Sequence, residues 1–572
     1  MKRKLWTVIA ALVVISLLVT ACGATPEPEV VEVEKIVTQV VEKEVEQVVT
    51  EVVEVEKEVE KVVTQVVEKE VEKIVEVTAV PAARVEELKV GQFGNPEALS
   101  CPDWGSVDEL DILHHFAEPL FRFDRDGSIN GIVAESWEMV TPTEWTIKIR
   151  EGMKFHDPAY GEITAEDVVA SLEWCFLPER RNISRQPGVV ADMEVEIVDD
   201  YNITVKFPEP GTAAVPNVWT YVAISDKDYI AEVGDDFTNQ PMGTGPYKFV
   251  EWTPDVQIVG ERFEDYWGED PGVERLVWRI IPDAFTRKSE FMTGGLDVLP
   301  FMVADWVPEV ATNAEVRVVP ILSARYIMII LPVGVPPYDD IRVRQALNYA
   351  INKDEIVAQL FAGIGATPPR GVVNPILVEG DRTREIYPYD PEKATQLLDE
   401  ARADGVEIGP LTLYAPNDRY VMDKEMGEAV AGYWRDLGLE VEYIPESRST
   451  LFPRLLGLEL EDPSLIGFGN TLLQASYPYN IWLQKRADPP SRGSAYALGP
   501  DEWDEKISEL NAMLSGSEDS IALARELDEL YIEYAPWAFV VNFVDLFGVS
   551  NDIEWTPYPF ESRYFVDVKP RQ

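Results

Sequence analysis

From Val30 to Val77 the chain is written almost entirely in Val, Glu, Lys, Thr and Gln, a vocabulary that cannot build a globular core. The run VEKIVTQVVEKEVE that starts at Val33 returns as VEKVVTQVVEKEVE at Val59, 26 residues later. Valines 33, 37, 41, 45, 48, 52, 55 and 59 step through that unit at about 3.7 residues each, close to the helical period. One apolar stripe therefore stays on one face. Glu32 with Lys35, Glu58 with Lys61 and Glu70 with Lys73 add charge pairs at i,i+3 spacing. The expectation is a helical stalk on the order of 70 Å long, whose stripe suits self-association as a coiled coil. Valine is a mediocre helix former and VEVEKEVE at 53–60 also alternates like a strand, so a disordered or partly extended linker stands as the alternative.

Ahead of the repeat lie Lys2, Arg3 and Lys4, an apolar stretch from Leu5 to Leu18, and Val19-Thr20-Ala21-Cys22. A basic start, an apolar run too short for a comfortable span and small residues before a cleavage point predict an export signal. Val-Thr-Ala-Cys resembles the lipobox of bacterial lipoproteins, which implies a lipid on Cys22 and a chain tethered to the outer face of the cytoplasmic membrane. The formal charge of −52 argues against nucleic acid as a partner, since polyanion binding needs a basic footprint. With Cys22 lipidated, Cys101 and Cys175 remain, and the expectation is two buried thiols; spacing does not show whether they meet as a disulfide.

After Pro81 aromatics, glycines and mixed patterns begin, and the globular part is predicted to start near Arg84. Trp145–Arg150 and Tyr247–Trp252 alternate like strands, and Thr164 with Asp167 reads as a capping box opening a helix. Helices are predicted over Val343–Phe361, Glu392–Ala403 and Lys424–Leu437, with short strands at Leu411–Tyr414 and Glu440–Tyr443. This is an α/β pattern with mixed sheets. The turn Gly243-Thr-Gly-Pro246 lacks the Gly-Lys-Ser/Thr ending of a phosphate loop.

The run Glu118-Pro-Leu-Phe121, Asp124-Arg-Asp-Gly127, Ala134-Glu-Ser-Trp137, Gly152–Asp157 and Thr164–Val169 resembles the signature region of family 5 extracellular solute-binding proteins. Gly243–Lys248, Tyr266-Trp267, Ile281-Pro-Asp283, Gly295-Leu-Asp297, Arg342–Leu347 and Tyr389-Asp-Pro391 continue it in order. The resemblance implies a periplasmic-binding-protein-like fold of type II: two mixed α/β lobes joined by a hinge, plus an additional domain. It places a signal peptide at 1–21 and the lipidated stalk at 22–83. Lobe I is implied at 84–118, 239–318 and 533–572, the additional domain at 119–238 and lobe III at 319–532. It also implies a receptor that captures a peptide-like solute and delivers it to the permease subunits of an ABC importer, with no cofactor.

Most of these motifs read as scaffold. Phe155-His156-Asp157 is expected to place a loop, Gly243 and Gly245 to permit a tight turn beside Pro246, and Arg342 and Arg344 to pair with carboxylates. Where peptide receptors carry a Trp and an amine-binding Asp, the resemblance aligns Ile466–Asn470 through Ala475–Pro478. Phe468 stands near the aromatic position, while Asn470, Thr471 or Ser476 stands where the aspartate is expected. A neutral group there cannot make the charge-assisted bond an ammonium favours. The expected ligand contacts are Phe468, Asn470, Ser476 and Tyr477, with Tyr326 and Trp219.

Peptide ranks first as cargo. A carbohydrate or another neutral organic solute is second, because the aromatic and amide cluster at 468–480 suits sugar rings. Metal ranks last, since only His114, His115 and His156 exist and the adjacent pair is an ordinary feature. An enzyme finds no support: Gly-x-Ser-x-Gly, His-Glu-x-x-His and cysteine clusters are all missing. A surface sensor or scaffold that binds solute without transport is the remaining class.

Overall fold

The computed structural model describes residues 84–100, 107–176, 193–207, 217, 219–470, 473–485, 491–559 and 563–571. The export signal, Cys22, the stalk, Cys101 and Thr471 lie outside the described residues. Among the described residues no helix is long and apolar enough to cross a membrane.

Two long strands carry the architecture. Strand β1 (Val316–Ile330) and strand β3 (Trp537–Ser550) pair antiparallel, and strand β2 (Ser464–Gly469) lies antiparallel on the other edge of β1. Val and aromatic residues dominate β3 and suit a strand buried on both faces. The sheet has 11 strands, running Val441–Glu446, Leu411–Pro416, β2, β1, β3, Val298–Leu299, Val85–Gln92, Val273–Ile280, Gln257–Arg262, Tyr247–Thr253, with Ala366–Thr367 beside β3. It is mixed: Leu411–Pro416 is parallel to both neighbours, as is Val85–Gln92, whereas the hairpin after Tyr247 is antiparallel.

Side chains alternate across β1 and β3 and so feed two cores. Tyr326, Met328, Ile330, Trp537 and Phe539 pack on one face with Leu527 and Tyr531 of the Glu518–Tyr534 helix. Ile327, Ile329, Val540 and Val541 pack on the other, under the helices Ile341–Tyr349, Pro391–Ala403 and Asp423–Asp436. A separate antiparallel sheet of four strands, ordered Ala134–Thr141, Glu144–Ile149, Asn202–Lys206, Glu194–Asp199, covers a third core with Trp145, Ile147, Val205 and Trp219. The Ala165–Cys175 helix on that core starts as predicted. Asp167 Oδ2 accepts from the Thr164 backbone N–H at 2.8 Å and from its hydroxyl at 2.9 Å.

Several expectations change. The helix predicted over Val343–Phe361 is two helices, Ile341–Tyr349 and Lys353–Leu360, because Asn352 caps the second by accepting from the Glu355 N–H at 3.1 Å. Among the described residues Arg344 meets no carboxylate; it is buried and donates to the carbonyls of Tyr338 (2.8 Å), Asp339 (3.2 Å), Tyr534 (2.7 Å) and Ala535 (3.2 Å). Arg342 does meet them, at 2.7 Å from Asp340 and 2.5 Å from Asp404. Gly243 and Gly245 serve close approach rather than turn geometry, since a Cβ would lie 2.6 Å from Ala117 Cα and 2.4 Å from the His115 carbonyl. Cys175 is disulfide-bonded rather than a free thiol.

His115 and His156 are scaffold. His115 Nδ1 donates to the Asp111 carbonyl (2.6 Å) while its Nε2 accepts from the Phe565 N–H (3.0 Å), and burial pushes its pKa down to about 3. His156 Nε2 donates to the Gly245 carbonyl at 2.9 Å, and burial holds its pKa near about 4. Among the described residues no group of His, Cys, Asp and Glu is placed to hold a metal ion.

The signature motifs converge on Glu118. Its carboxylate is fully buried and accepts from the Tyr266 hydroxyl (2.7 Å), Trp267 Nε1 (2.7 Å) and the Tyr564 hydroxyl (3.4 Å), with Arg122 at 3.9 Å. Burial raises its pKa, against the pull of Arg122 and the three donors. This one group ties the Pro119–Phe121 segment to the Tyr266-Trp267 pair and to the C-terminal segment. Glu118→Ala leaves three donors and a guanidinium without their acceptor and is expected to cost about 3 kcal/mol in urea unfolding; a loss below about 1 kcal/mol would contradict this role.

Candidate functional site

A regular ladder between β1 and β3 would leave no room beside it, but the ladder is broken. Pairing runs from Val316↔Ser550 to Leu322↔Val544 and resumes at Tyr326↔Asn542, so Ser323, Ala324 and Arg325 together oppose Phe543. Such a bulge bends a strand and re-aims its side chains. Two asparagines hold it open: Asn374 Nδ2 donates to the Ser323 carbonyl at 2.9 Å, and the Asn470 N–H donates to the Ala324 carbonyl at 3.2 Å.

Beside the bulge lies a cavity of about 710 Å³, bounded by Arg325 and Tyr326 of β1, Phe468 of β2 and Asp545 of β3. Its remaining wall comes mainly from Phe93, Arg287 and the segments 301–305, 360–365 and 419–422. This is the size of a small organic solute site. Phe301 (φ 53°) and Met422 (φ 56°) hold the left-handed region there, a conformation that costs roughly 1–2 kcal/mol at a non-glycine residue.

Aromatic rings form much of the lining. Tyr326 and Phe468 are register partners with ring centroids 5.7 Å apart, and Phe468 also meets Tyr477 (5.4 Å) and Trp482 (6.2 Å). Tyr420 lies across Gly467 and donates its hydroxyl to the Gly467 carbonyl at 3.0 Å. A Cβ at Gly467 would sit 2.6 Å from that ring, so only glycine lets Tyr420 lie there.

The charged group with the most telling surroundings is Asp545. The Ser323 hydroxyl donates to its carboxylate, Arg325 acts on it through space, and its Oδ2 is buried without a hydrogen-bond partner. Burial outweighs both attractions and pushes its pKa up to about 6. The Tyr326 hydroxyl of the lining is likewise buried without a partner, as are, outside the lining, both amide atoms of Asn542, Ser476 Oγ and Trp482 Nε1. Each such atom costs about 1–3 kcal/mol until something bonds it. The arrangement suits an organic molecule that brings polar groups to an aromatic-walled space.

The predicted contacts divide. Tyr326 and Phe468 line the cavity; Tyr477 packs on Phe468 and also against the third core, and Ser476 is buried beside it. Asn470 has no free amide, since its Nδ2 donates to the Gln474 carbonyl (2.8 Å) and its Oδ1 accepts from the Gln474 N–H (3.2 Å). Trp219 is a fully buried member of the third core and is not in the cavity lining. Arg325, Tyr420 and Asp545 were not expected. A signal existed for the last: Asn542 and Asp545 interrupt an otherwise apolar run from Trp537 to Val549.

The unfolded Asp545 carboxyl ionises near about 4 and the folded one near about 6, so its contribution to stability is complete below the lower value and is lost as pH rises through the upper. Wild type is therefore expected to lose stability relative to Asp545→Asn between pH 4 and pH 6, read by urea unfolding across that range; parallel curves would contradict the burial of this carboxylate.

The model of bacterial extracellular solute-binding proteins, family 5 Middle, matches residues 128–486. A glutathione-binding protein GsiB of Salmonella paratyphi A is 29% identical over 332 residues, which covers 57% of this chain and 63% of that protein. The chain thus spans less than two thirds of the length of that relative. Heme-binding protein A of Haemophilus influenzae is 28% identical over 482 residues, 77% of this chain and 84% of its own. Among solved structures, HbpA2 from Haemophilus parasuis superposes with a TM-score of 0.77 at 19% identity, covering 85% of this chain and 100% of that one. The unliganded open form of the periplasmic murein tripeptide-binding protein MppA gives 0.75 at 17% identity, over 86% and 98%. These superpositions give the chain the mixed α/β fold of periplasmic binding proteins. With more than half of its length matched by the family model, the chain belongs to the bacterial extracellular solute-binding proteins of family 5.

Proposed function

We propose that this chain is the extracytoplasmic receptor of an ABC importer, which captures a small peptide-like solute and hands it to membrane permease subunits. The observation that carries the reading is the 710 Å³ cavity at the β1 bulge, walled by aromatics and bordered by buried polar atoms that lack partners. Family membership and the glutathione- and heme-binding names of the relatives support an organic cargo. The chain acts by binding rather than by catalysis.

In this reading lobe I comprises 84–118, 239–318 and 533–572, lobe III comprises 319–532, and 119–238 is the additional domain. Ligand closes the lobes by contacting both in the closed state. Shifting such an equilibrium from 1:99 to 99:1 needs about 5.5 kcal/mol of preference for the closed form. Cys22 carries the lipid anchor after removal of residues 1–21, and the stalk spaces the receptor from the membrane. Tethering keeps the receptor's effective concentration at the permease high.

The first test is mass spectrometry of small molecules released from the natively purified protein. A short peptide or peptide conjugate is expected; a released oligosaccharide would replace the cargo class. Phe468→Ala is expected to weaken binding of that molecule by at least tenfold in calorimetry while the protein, though less stable, stays folded, and unchanged affinity would remove Phe468 from the site. Cys22→Ser is expected to move the protein from the membrane fraction to the soluble one while leaving solute affinity intact; continued membrane association would overturn the anchor.

A further inference from the structure

The receptor reading leaves open what in the cavity selects the charge of the solute. We propose that Asp545 is a charge-selecting anchor that receives a cationic nitrogen of the solute, a primary ammonium or a guanidinium group. The inference rests on the receptor reading and deepens it.

Three features of the site carry it. Asp545 lines the cavity, yet its Oδ2 is buried and has no partner, so the carboxylate is held where water serves it poorly. The hydroxyl of Ser323, a residue of the bulge, favours the charged form of the carboxylate, so the break in the ladder lends it support. A cationic donor arriving here would gain a charge-assisted bond at a site of low dielectric, where such bonds are strongest.

The other charged groups of the lining do not take this role. Arg287 donates to the carbonyls of Ile281 (2.5 Å) and Pro282 (2.7 Å), and Arg419 lies over the Tyr420 ring at 5.2 Å. Arg325 lines the cavity near Asp545 and, being a cation itself, does not take this role. A neutral solute leaves the Asp545 oxygen as it is. Asp305, the other acidic residue of the lining, is exposed on the 301–305 segment, where water screens its charge.

The test uses a tripeptide library with free amino termini and lacking Lys, Arg and His, and an N-acetylated copy of the same library. Each is passed over the immobilised full-length protein and the retained peptides are quantified by mass spectrometry. Wild type is expected to retain the free-amine library at least tenfold more than its acetylated copy, and Asp545→Asn to lose that preference. Equal retention of the two libraries by wild type, or an undiminished preference in Asp545→Asn, would overturn the anchor while the receptor reading stands. Retention of neither library would overturn the peptide-like cargo and the anchor with it. Because acetylation alters the ligand alone, the wild-type comparison holds whether or not the variant folds, and a thermal melt of Asp545→Asn checks the variant.

Discussion

The pairing of Val316–Ile330 with Trp537–Ser550 is the constraint on which the rest of the structure depends. It joins the parallel strands at one end of the sheet to the Val85–Gln92 and Val273–Ile280 strands at the other. It also separates two cores, because alternation along each strand sends Tyr326 and Met328 one way and Ile327 and Ile329 the other. A slip of one residue would exchange those faces. Apolar burial on both sides therefore fixes the register, and a fixed register is what makes the interruption at Ser323–Arg325 a feature rather than slack.

That interruption connects fold to function. A continuous ladder satisfies every backbone group and presents no concave surface; a bulge pinned by Asn374 and Asn470 opens space and turns Ser323 toward Asp545. Left-handed backbone at Phe301 and Met422 and unpartnered buried polar atoms on Tyr326, Asn542 and Asp545 lie around it, features that also occur at other places in the molecule. At the cavity a binding partner can offset such costs. By contrast the Glu118 cluster and His115, assembled from signature residues, have their hydrogen bonds made within the protein. The motifs that identify the family build its frame, and Tyr326, Phe468 and Asp545 of the cavity lining lie outside them.

The sequence was legible where local chemistry decides structure. The helices at Pro391–Ala403 and Asp423–Asp436 begin within a residue of where periodicity puts them, and the Thr164–Asp167 cap forms as read. Reading failed where a residue's role depends on a distant partner. Arg344 looked like an ion-pair residue, yet its carbonyl partners at Tyr534 and Ala535 come from far along the chain. Asn352 ended a helix that periodicity alone would continue. In the site, Phe468 and Tyr326 reach the cavity from adjacent strands, whereas Trp219 fills a core and Asn470 is tied to Gln474. Asp545 escaped because its meaning comes from the bulge in a strand more than two hundred residues away.

The central claim is that the break in the β1–β3 ladder is where solute binds. A crystal structure of the natively purified protein with its co-purified small molecule tests it most directly. Density for an organic solute against Tyr326, Phe468 and Asp545 is the predicted result. Solute density at another place, with only water beside those three residues, would contradict the account.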